Sequence, residues 1–285
     1  PLDYPCEINN FVVKLIFQML KFISFGSGSS GNCYYILTEK GGMMIDVGVG
    51  MRTLRKYFCE YGLPVTDLHN ILITHDHADH IKSVGTISRK FEIPVHATSR
   101  VHAGIDDNYS VRCKVDKERK VVIESGKPFV LDGMRITPFH VPHDSNDNVG
   151  YRIDYEGVVF CIMTDVGHVT DEMKTMIQEA NYLVIEANFD DEMLEVGPYP
   201  RYLKDRIKSG TGHLSNTKCA QALIENFSKN LRHVWLCHLS EENNHPELAR
   251  KSIMQLLHEN GIEVGKDVQL DVLKRRVPDG FYELA

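Results

Sequence analysis

No two cysteines of this chain stand at the spacing of a zinc knuckle or a redox pair. The seven, at positions 6, 33, 59, 113, 161, 219 and 237, are scattered and odd in number. That excludes a disulfide framework and a cysteine-ligated metal, and it fits a reducing cytoplasm. A long apolar run is missing too. The stretch Phe11–Phe25 is broken by Lys14, Gln18 and Lys21, so no membrane span is expected. With Asp3 and Glu7 ahead of it, the same stretch does not read as a secretory leader. Positive charge is in deficit, the net charge being −7, whereas proteins that grip nucleic acid through their surface usually carry a basic balance. Two bound divalent ions would leave the chain still acidic. Any hold on phosphates is therefore local, with Arg201, Lys204, Arg206, Lys208, Lys274, Arg275 and Arg276 as candidates and plain solvated charge as the alternative. Internal repeats and low-complexity tracts are absent, and the loop at 26–32 is the one Gly/Ser-rich stretch.

What is present is the composition of a globular protein long enough to bury a large core. Met19 followed by the strand-like Leu20–Phe25 makes a natural chain start, so residues 1–18 are read as an appendage and 19–285 as one domain. Short β-like runs follow at 33–37 and 43–46, then a helix over 51–61, a buried strand at 71–74 and a helix over 81–90. A strand at 93–96 and a helix near 98–105 lead into a β-rich stretch: 119–123, 128–131, 134–139, 149–155 and 157–164. The last third alternates: strand 182–186, helices near 190–195, 199–207 and 216–228, strand 233–237, helix 246–260 and a final β-like 268–273. Strands in two groups with helices at the edges predict an α+β fold in which two sheets pack face to face under outer helices, a four-layer αββα sandwich.

The strongest local signal is Thr74-His75-Asp76-His77-Ala78-Asp79-His80, three imidazoles and two carboxylates directly after a buried strand. Imidazole with carboxylate is what zinc, iron or manganese takes when no thiolate is offered. His75 and His77, two apart on extended chain, project to one side and can share an ion. Asp79 and His80 sit where the chain turns into a helix and can address a second ion. A bare surface histidine cluster is the bland alternative. Further ligands must come from elsewhere, and the ends of later strands supply His143, Asp165 and His238, as expected of a rigid scaffold with a functional rim.

The H-x-H-x-D-H run, the later His, the strand-end Asp and the terminal H-x-S resemble the metallo-β-lactamase superfamily. More narrowly, Ser27-Gly28-Ser29-Ser30-Gly31-Asn32, Gly212-His213-Leu214-Ser215-Asn216 and His238-Leu239-Ser240-Glu241-Glu242-Asn243-Asn244 resemble the YycJ/WalJ (VicX-like) group of bacterial exonucleases. The resemblance runs from about residue 19 onward. It implies that His75, His77 and His143 hold one metal, that Asp79, His80 and His238 hold a second, and that Asp165 bridges them. It also implies that Asp46 braces the histidine loop without binding metal. His140 stays open as a ligand in place of His143, although His143 alone fits the family's His–Asp step. His168 falls where relatives require no histidine and is read as a rim residue.

Two divalent ions, zinc first and manganese or iron as alternatives, would lower the pKa of a shared water to about 7 and neutralise charge on a phosphoryl oxygen. Asp79 would also aim the attacking oxygen. Departure of an alkoxide needs a proton, and Glu186 with His213 resembles the Glu–His pair of tRNase Z-type enzymes. A neighbouring carboxylate keeps an imidazole protonated and oriented for that work; helix capping is the simpler role for His213. Ser27, Ser29, Ser30 and Asn32, with the backbone N–H groups of their loop, could cradle a phosphate, or the loop could be a plain tight turn. The gaps between motifs leave no room for the inserted domain of β-CASP nucleases, a long tRNA-gripping arm or the helical domain of glyoxalase II. The expectation is therefore a minimal phosphodiesterase, 5′→3′ on double-stranded DNA, with no membrane and no obligate protein partner. Two alternatives remain: a small-molecule hydrolase of a cyclic phosphodiester, lactone or thioester, and a non-hydrolytic metal-binding regulatory module.

Overall fold

Short apolar runs form fourteen strands among the described residues, and these collect into two sheets of seven. The computed structural model describes residues 19–285, so the expected appendage at 1–18 lies outside the described residues. One sheet contains Leu20–Gly26 (β1), Cys33–Thr38 (β2), Gly41–Ile45 (β3), Leu68–Leu72 (β4), Val95–Ala97 (β5) and Lys120–Val122 (β6). The other contains Phe129–Leu131 (β7), Met134–His140 (β8), Val149–Tyr155 (β9), Val158–Met163 (β10), Tyr182–Glu186 (β11), His233–Cys237 (β12) and Gln269–Val272 (β13), in spatial order β13-β12-β11-β10-β9-β8-β7. Asp279–Leu284 (β14) returns to the first sheet and closes its order as β14-β1-β2-β3-β4-β5-β6. Both sheets are mixed. β3 to β6 run parallel in the first, and β10 to β13 run parallel in the second.

Residue parity explains the layering. On β1, Phe22 faces the opposite sheet, with its ring 5.2 Å from Phe160 and 5.1 Å from Trp235, while its neighbour Ile23 faces outward. The outward faces are covered by helices. Met51–Glu60 (α1), Val84–Phe91 (α3) and Ser99–Asp107 (α4) bury Leu54, Phe58, Ile87, Val101 and Ile105 against the first sheet. Asp171–Glu179 (α5), Asn216–Glu225 (α8) and Pro246–Glu259 (α9) do the same on the second with Met173, Ile177, Leu223, Ile253 and Leu257. Each fully buried side chain of this size contributes about 1.5–3 kcal/mol. The expected four-layer αββα sandwich is the observed fold.

Local departures have physical causes. The strand expected at 71–74 is Leu68–Leu72, because Ile73 and Thr74 leave the ladder to enter the histidine loop. The helix expected over 81–90 is two: Ala78–Ile81 (α2) and α3, with Ser83 between them at φ −110°, ψ 2°. The helix α5, capped by the Thr170 side chain accepting from Met173 N–H, was not anticipated. Nor was β14, whose partner β1 lies about 260 residues away in sequence. Asp191–Val196 (α6) and Arg201–Lys208 (α7) fall close to their expected places.

Candidate metal centre

Parallel strands bring their carboxyl ends to one rim, where ligands of open α/β sheets bind. β3 leads to Asp46, β4 runs toward the loop 75–80, β10 toward Asp165, β11 ends in Glu186 and β12 leads to His238. Three of these residues turn the chain with a left-handed backbone: φ is 61° at Asp46, 55° at Asp165 and 52° at His238. Such conformations are unfavourable for non-glycine residues and persist only where the surroundings hold them. Here they do. The Asp46 carboxylate accepts from Thr74 N–H and Thr74 Oγ1, each at 2.8 Å, and the His238 N–H donates to Ser27 Oγ at 2.9 Å.

The result is one convergent cluster. The candidate donor atoms of His75, His77 and His143 lie within 4.8 Å of one another, and so do those of Asp79, His80 and His238. Asp165 stands between the two groups, 3.2 Å from His80 Nε2 and 3.7 Å from His143 Nε2. His140 is exposed at the end of β8 and joins none of these groups, and His143 is the residue that meets His77, at 3.2 Å. His168 is exposed, its Nδ1 2.7 Å from the Gly210 carbonyl.

Hydrogen bonds fix which ring nitrogens face inward. Thr74 Oγ1 already donates to Asp46, so at 3.0 Å it accepts from His75 Nδ1–H and leaves Nε2 with the lone pair. His143 Nδ1–H donates to the Gly212 carbonyl at 2.9 Å, with the same consequence. His80 Nδ1–H donates to Asp46 at 2.7 Å. Outer partners of this kind orient metal-ligating imidazoles.

Glu186, fully buried, has every lone pair engaged. One oxygen accepts from the N–H of Val166 (2.8 Å) and Leu214 (2.9 Å), while the other meets Nδ1 of His213 (2.8 Å) and of His238 (2.9 Å). His213 does not cap the following helix; Ser215 does, accepting from Lys218 N–H.

Electrostatics divide the cluster. Burial pushes His75 well below the usual imidazole range and lowers His143, so both stay neutral. Burial pulls His238, His80 and His213 down as well, but carboxylates outweigh it. Asp165, Asp79 and Glu186 raise His238 to about 10; Asp165, Asp46 and Asp79 raise His80; Glu186 and Asp165 raise His213. Against burial, His238 and His80 hold the Asp165 carboxyl well below its ordinary value.

This donor set fits a pair of divalent cations. His75 Nε2 is fully buried, aimed into the cluster and without a hydrogen-bond partner among the described residues, which is costly unless something takes its lone pair. The converging carboxylates likewise need cationic partners, and ion binding would displace the protons that now balance them.

The loop expected to cradle phosphate also has a bracing role. Four of its N–H groups are engaged: Ser27 on Lys274 O, Gly28 on Asn32 Oδ1, Gly31 on Gly28 O and Asn32 on Asp79 O. Ser27 is buried against Tyr34 and the His238 N–H, so its hydroxyl faces no solvent. Asn32 is buried with its amide nitrogen 3.2 Å from Asp79 Oδ2 and 2.9 Å from His80 Nε2. Only Ser29 and Ser30 are exposed. The loop thus braces Asp79, His80 and His238.

The basic residues expected to grip phosphate are paired. Arg206 is held by Asp144, Arg201 by Glu195 and Asp205, Lys208 by Glu195, Lys274 by Asp279 and Arg276 by Glu241. Lys204 donates to the Glu195 carbonyl, and Arg275 is turned onto the carbonyls of Leu239, Ser240 and Asn244.

Supporting residues that the sequence did not single out include Thr74, Asn148, whose amide donates to Asp165 O at 3.0 Å, and Asn188, whose amide donates to His238 O at 2.8 Å. Their common signal is a polar residue flanking a strand-end ligand. No helix among the described residues is long and apolar enough to cross a membrane.

Comparison with known proteins agrees with this geometry. Residues 43–238 match the family model described as beta-lactamase superfamily domain. The exodeoxyribonuclease YycJ of Bacillus anthracis is 32% identical over 259 residues, covering 91% of this chain and 97% of that protein. The exodeoxyribonuclease WalJ of Streptococcus pneumoniae is 35% identical over 250 residues, covering 88% and 93%. Among solved structures, Zn(2+)-bound PqqB from Methylobacterium extorquens superposes with a TM-score of 0.68 at 16% identity, covering 92% of this chain and all of that one. The chain accordingly belongs to the metallo-β-lactamase superfamily, in the group of relatives named YycJ and WalJ, and is a metal-dependent hydrolase.

Proposed function

We propose that this hydrolase is a phosphodiesterase that removes nucleotides from double-stranded DNA in the 5′→3′ direction. The observation that carries the reading is the Glu186 carboxylate, 2.8 Å from His213 Nδ1 and 2.9 Å from His238 Nδ1. It couples an imidazole held protonated to a candidate metal ligand, and phosphodiester cleavage is the hydrolysis that most needs a proton for its leaving oxygen. The exodeoxyribonuclease names of the relatives support the substrate class.

His75, His77 and His143 would hold one cation and Asp79, His80 and His238 the other, with Asp165 shared. Zinc is the first choice; manganese and iron suit the same nitrogen and oxygen donors. When bound, two such ions supply Lewis-acid stabilisation of phosphoryl charge and acidify water to a pKa of about 7. The remaining work belongs to the chain. Asp79, braced by Asn32, accepts a hydrogen bond from the attacking water and orients it. Water oxygen bonds to phosphorus, its proton passes to solvent, and the P–O bond to the departing oxygen breaks. His213 delivers its Nε2 proton to that oxygen and is reprotonated from solvent. Glu186 holds the imidazole in place through Nδ1. Positioned acids of this kind contribute about 10²–10⁴ in rate.

A time course on duplex DNA labelled at either 5′ or 3′ end, with zinc, manganese and iron in turn, tests this. Early release of the 5′ label as short product, with the 3′-labelled strand shortening stepwise, is the expected result. Retention of both labels by protein that cleaves a nitrophenyl phosphodiester would instead favour a small-molecule phosphodiesterase, the reading to which the pairing of the α7 cations lends weight.

A further inference from the structure

One rim of the centre carries cations that no acid neutralises. A cavity of about 560 Å³ is lined by Lys82, Ser83, Thr86, Tyr109, Ser110 and Arg112, with no carboxylate among them. Lys82 follows His80 by two residues, at the end of α2. Lys82 and Arg112 are exposed, and neither forms an ion pair among the described residues, in contrast to the helix α7, whose Arg201, Arg206 and Lys208 are all bridged to acids. Tyr109 is 95% exposed. A ring of that size left in water forgoes stabilising burial, yet its backbone is not loose. Asn108 donates to the Asp76 carbonyl at 2.9 Å, inside the histidine loop, and its own side chain accepts from Ser110 N–H at 2.9 Å. Lys114 Nζ clamps the carbonyls of Asn108 (2.6 Å) and Ile105 (3.0 Å). The ring is thus presented outward from a segment pinned to the metal-binding loop.

We propose that this cavity is a binding site for a nucleic-acid strand passing the centre, with backbone phosphates on Lys82 and Arg112, hydroxyls of Ser83, Thr86 and Ser110 hydrogen-bonding to phosphate or sugar oxygens, and one base stacked on Tyr109. Cations that track the backbone beside an aromatic stacking platform are how proteins hold strands without reading sequence. The volume falls within the range of sites that enclose a ligand of this size. An overall charge of −7 does not oppose it, because surface charges more than about 8–10 Å away are largely screened at physiological ionic strength. The site rests on the nucleic-acid reading above and specifies where the substrate lies beyond the scissile bond.

The test is the salt dependence of affinity for a phosphorothioate duplex, which resists cleavage, measured by fluorescence anisotropy with metal-loaded protein. Each phosphate contact contributes about 0.9 to the slope of log K against log salt. The Lys82→Ala/Arg112→Ala double variant should lose about 2 from that slope and bind at least tenfold more weakly near 0.1 M salt. Tyr109→Ala should bind about tenfold more weakly at every salt concentration, and Tyr109→Phe should restore binding. Hydrolysis of bis(nitrophenyl) phosphate, which carries no flanking nucleotide for the cavity to hold, should be unchanged in all of them. An unaltered slope in the double variant overturns the proposal while leaving the nuclease reading intact, and so does an equal loss on the small ester. Failure of wild-type protein to bind the duplex overturns both readings.

Discussion

Asp46 places a carboxylate oxygen 2.7 Å from Nδ1 of His80, both side chains fully buried. The same oxygen accepts from Thr74 Oγ1, and Thr74 Oγ1 accepts from His75 Nδ1–H. One residue outside the candidate ligand set therefore fixes the outward-facing nitrogen of two residues within it.

Replacing Asp46 by Asn puts an amide N–H2 against groups that already donate, so the network loses at least one bond. Because such outer partners typically account for 10–100-fold in metal affinity, Asp46→Asn should bind zinc 10–100-fold more weakly by competition with a chelating dye. The metal-free variant should also melt at lower temperature, since it leaves a buried donor unsatisfied at a cost of about 1–3 kcal/mol. Unchanged zinc affinity would show that the brace is dispensable.

His77 and Asp79 are half-buried on the open side of the cluster, so their loss should spare the core. His77→Ala and Asp79→Asn should retain the wild-type circular dichroism spectrum and lose nuclease activity. Cleavage that persists in well-purified, metal-free His77→Ala protein would count heavily against the assigned centre.

A proton donor shows itself through the leaving group. His213→Ala should slow hydrolysis of nucleotide esters by about 10²–10⁴ and slow bis(nitrophenyl) phosphate far less, because a nitrophenolate departs without a proton. Glu186→Gln should slow both substrates, because the same carboxylate oxygen also orients His238, with the larger loss on the nucleotide esters that need the His213 proton. Equal losses on both substrates would remove His213 from the proton-transfer role.

His96, away from the centre on β5, makes acid stability testable. Its Nε2–H donates to Asn70 Oδ1 at 3.0 Å, while Nδ1 is buried with no partner among the described residues. Burial, reinforced by His102, lowers its pKa to about 4. The unfolded chain, titrating near 6.5, therefore takes up the proton first as pH falls. The contribution of His96 is complete above about pH 6.5, is lost progressively down to about pH 4, and amounts to at most about 3 kcal/mol. Urea titrations of chelator-treated protein between pH 4 and 7 should show a shallower loss of stability in His96→Gln than in wild type. Parallel curves would mean that the imidazole finds a partner for its second proton.

The histidine loop was legible because its information is local: three imidazoles and two carboxylates within six residues announce a metal site in any fold. His143, Asp165 and His238 were legible for a related reason, since each follows an apolar run that reads as a strand, and strand ends make a rim. The choice between His140 and His143 was not local. His140 shares the parity of the buried Met134 and Ile136 but stands exposed at the end of β8, and only the turn beyond it delivers His143 to His77. The loop 27–32 was ambiguous because Gly and Ser at a strand end suit a phosphate cradle and a structural brace equally. The bracing contacts of Ser27 N–H with Lys274 O and of Asn32 N–H with Asp79 O join residues far apart in sequence.

Composition and pattern by themselves determined the layered α+β architecture and the nitrogen and oxygen chemistry of the centre, because burial periodicity and donor type are properties of short segments. Tertiary structure alone decided which nitrogen of each ring carries the lone pair, that Glu186 serves two histidines at once, that Arg201, Arg206 and Lys208 are bridged to acids while Lys82 and Arg112 are not, and that β14 closes against β1. Those outcomes depend on distances between residues tens to hundreds of positions apart. Hydrogen bonds and ion pairs form within about 3–4 Å, and only the folded chain sets such separations.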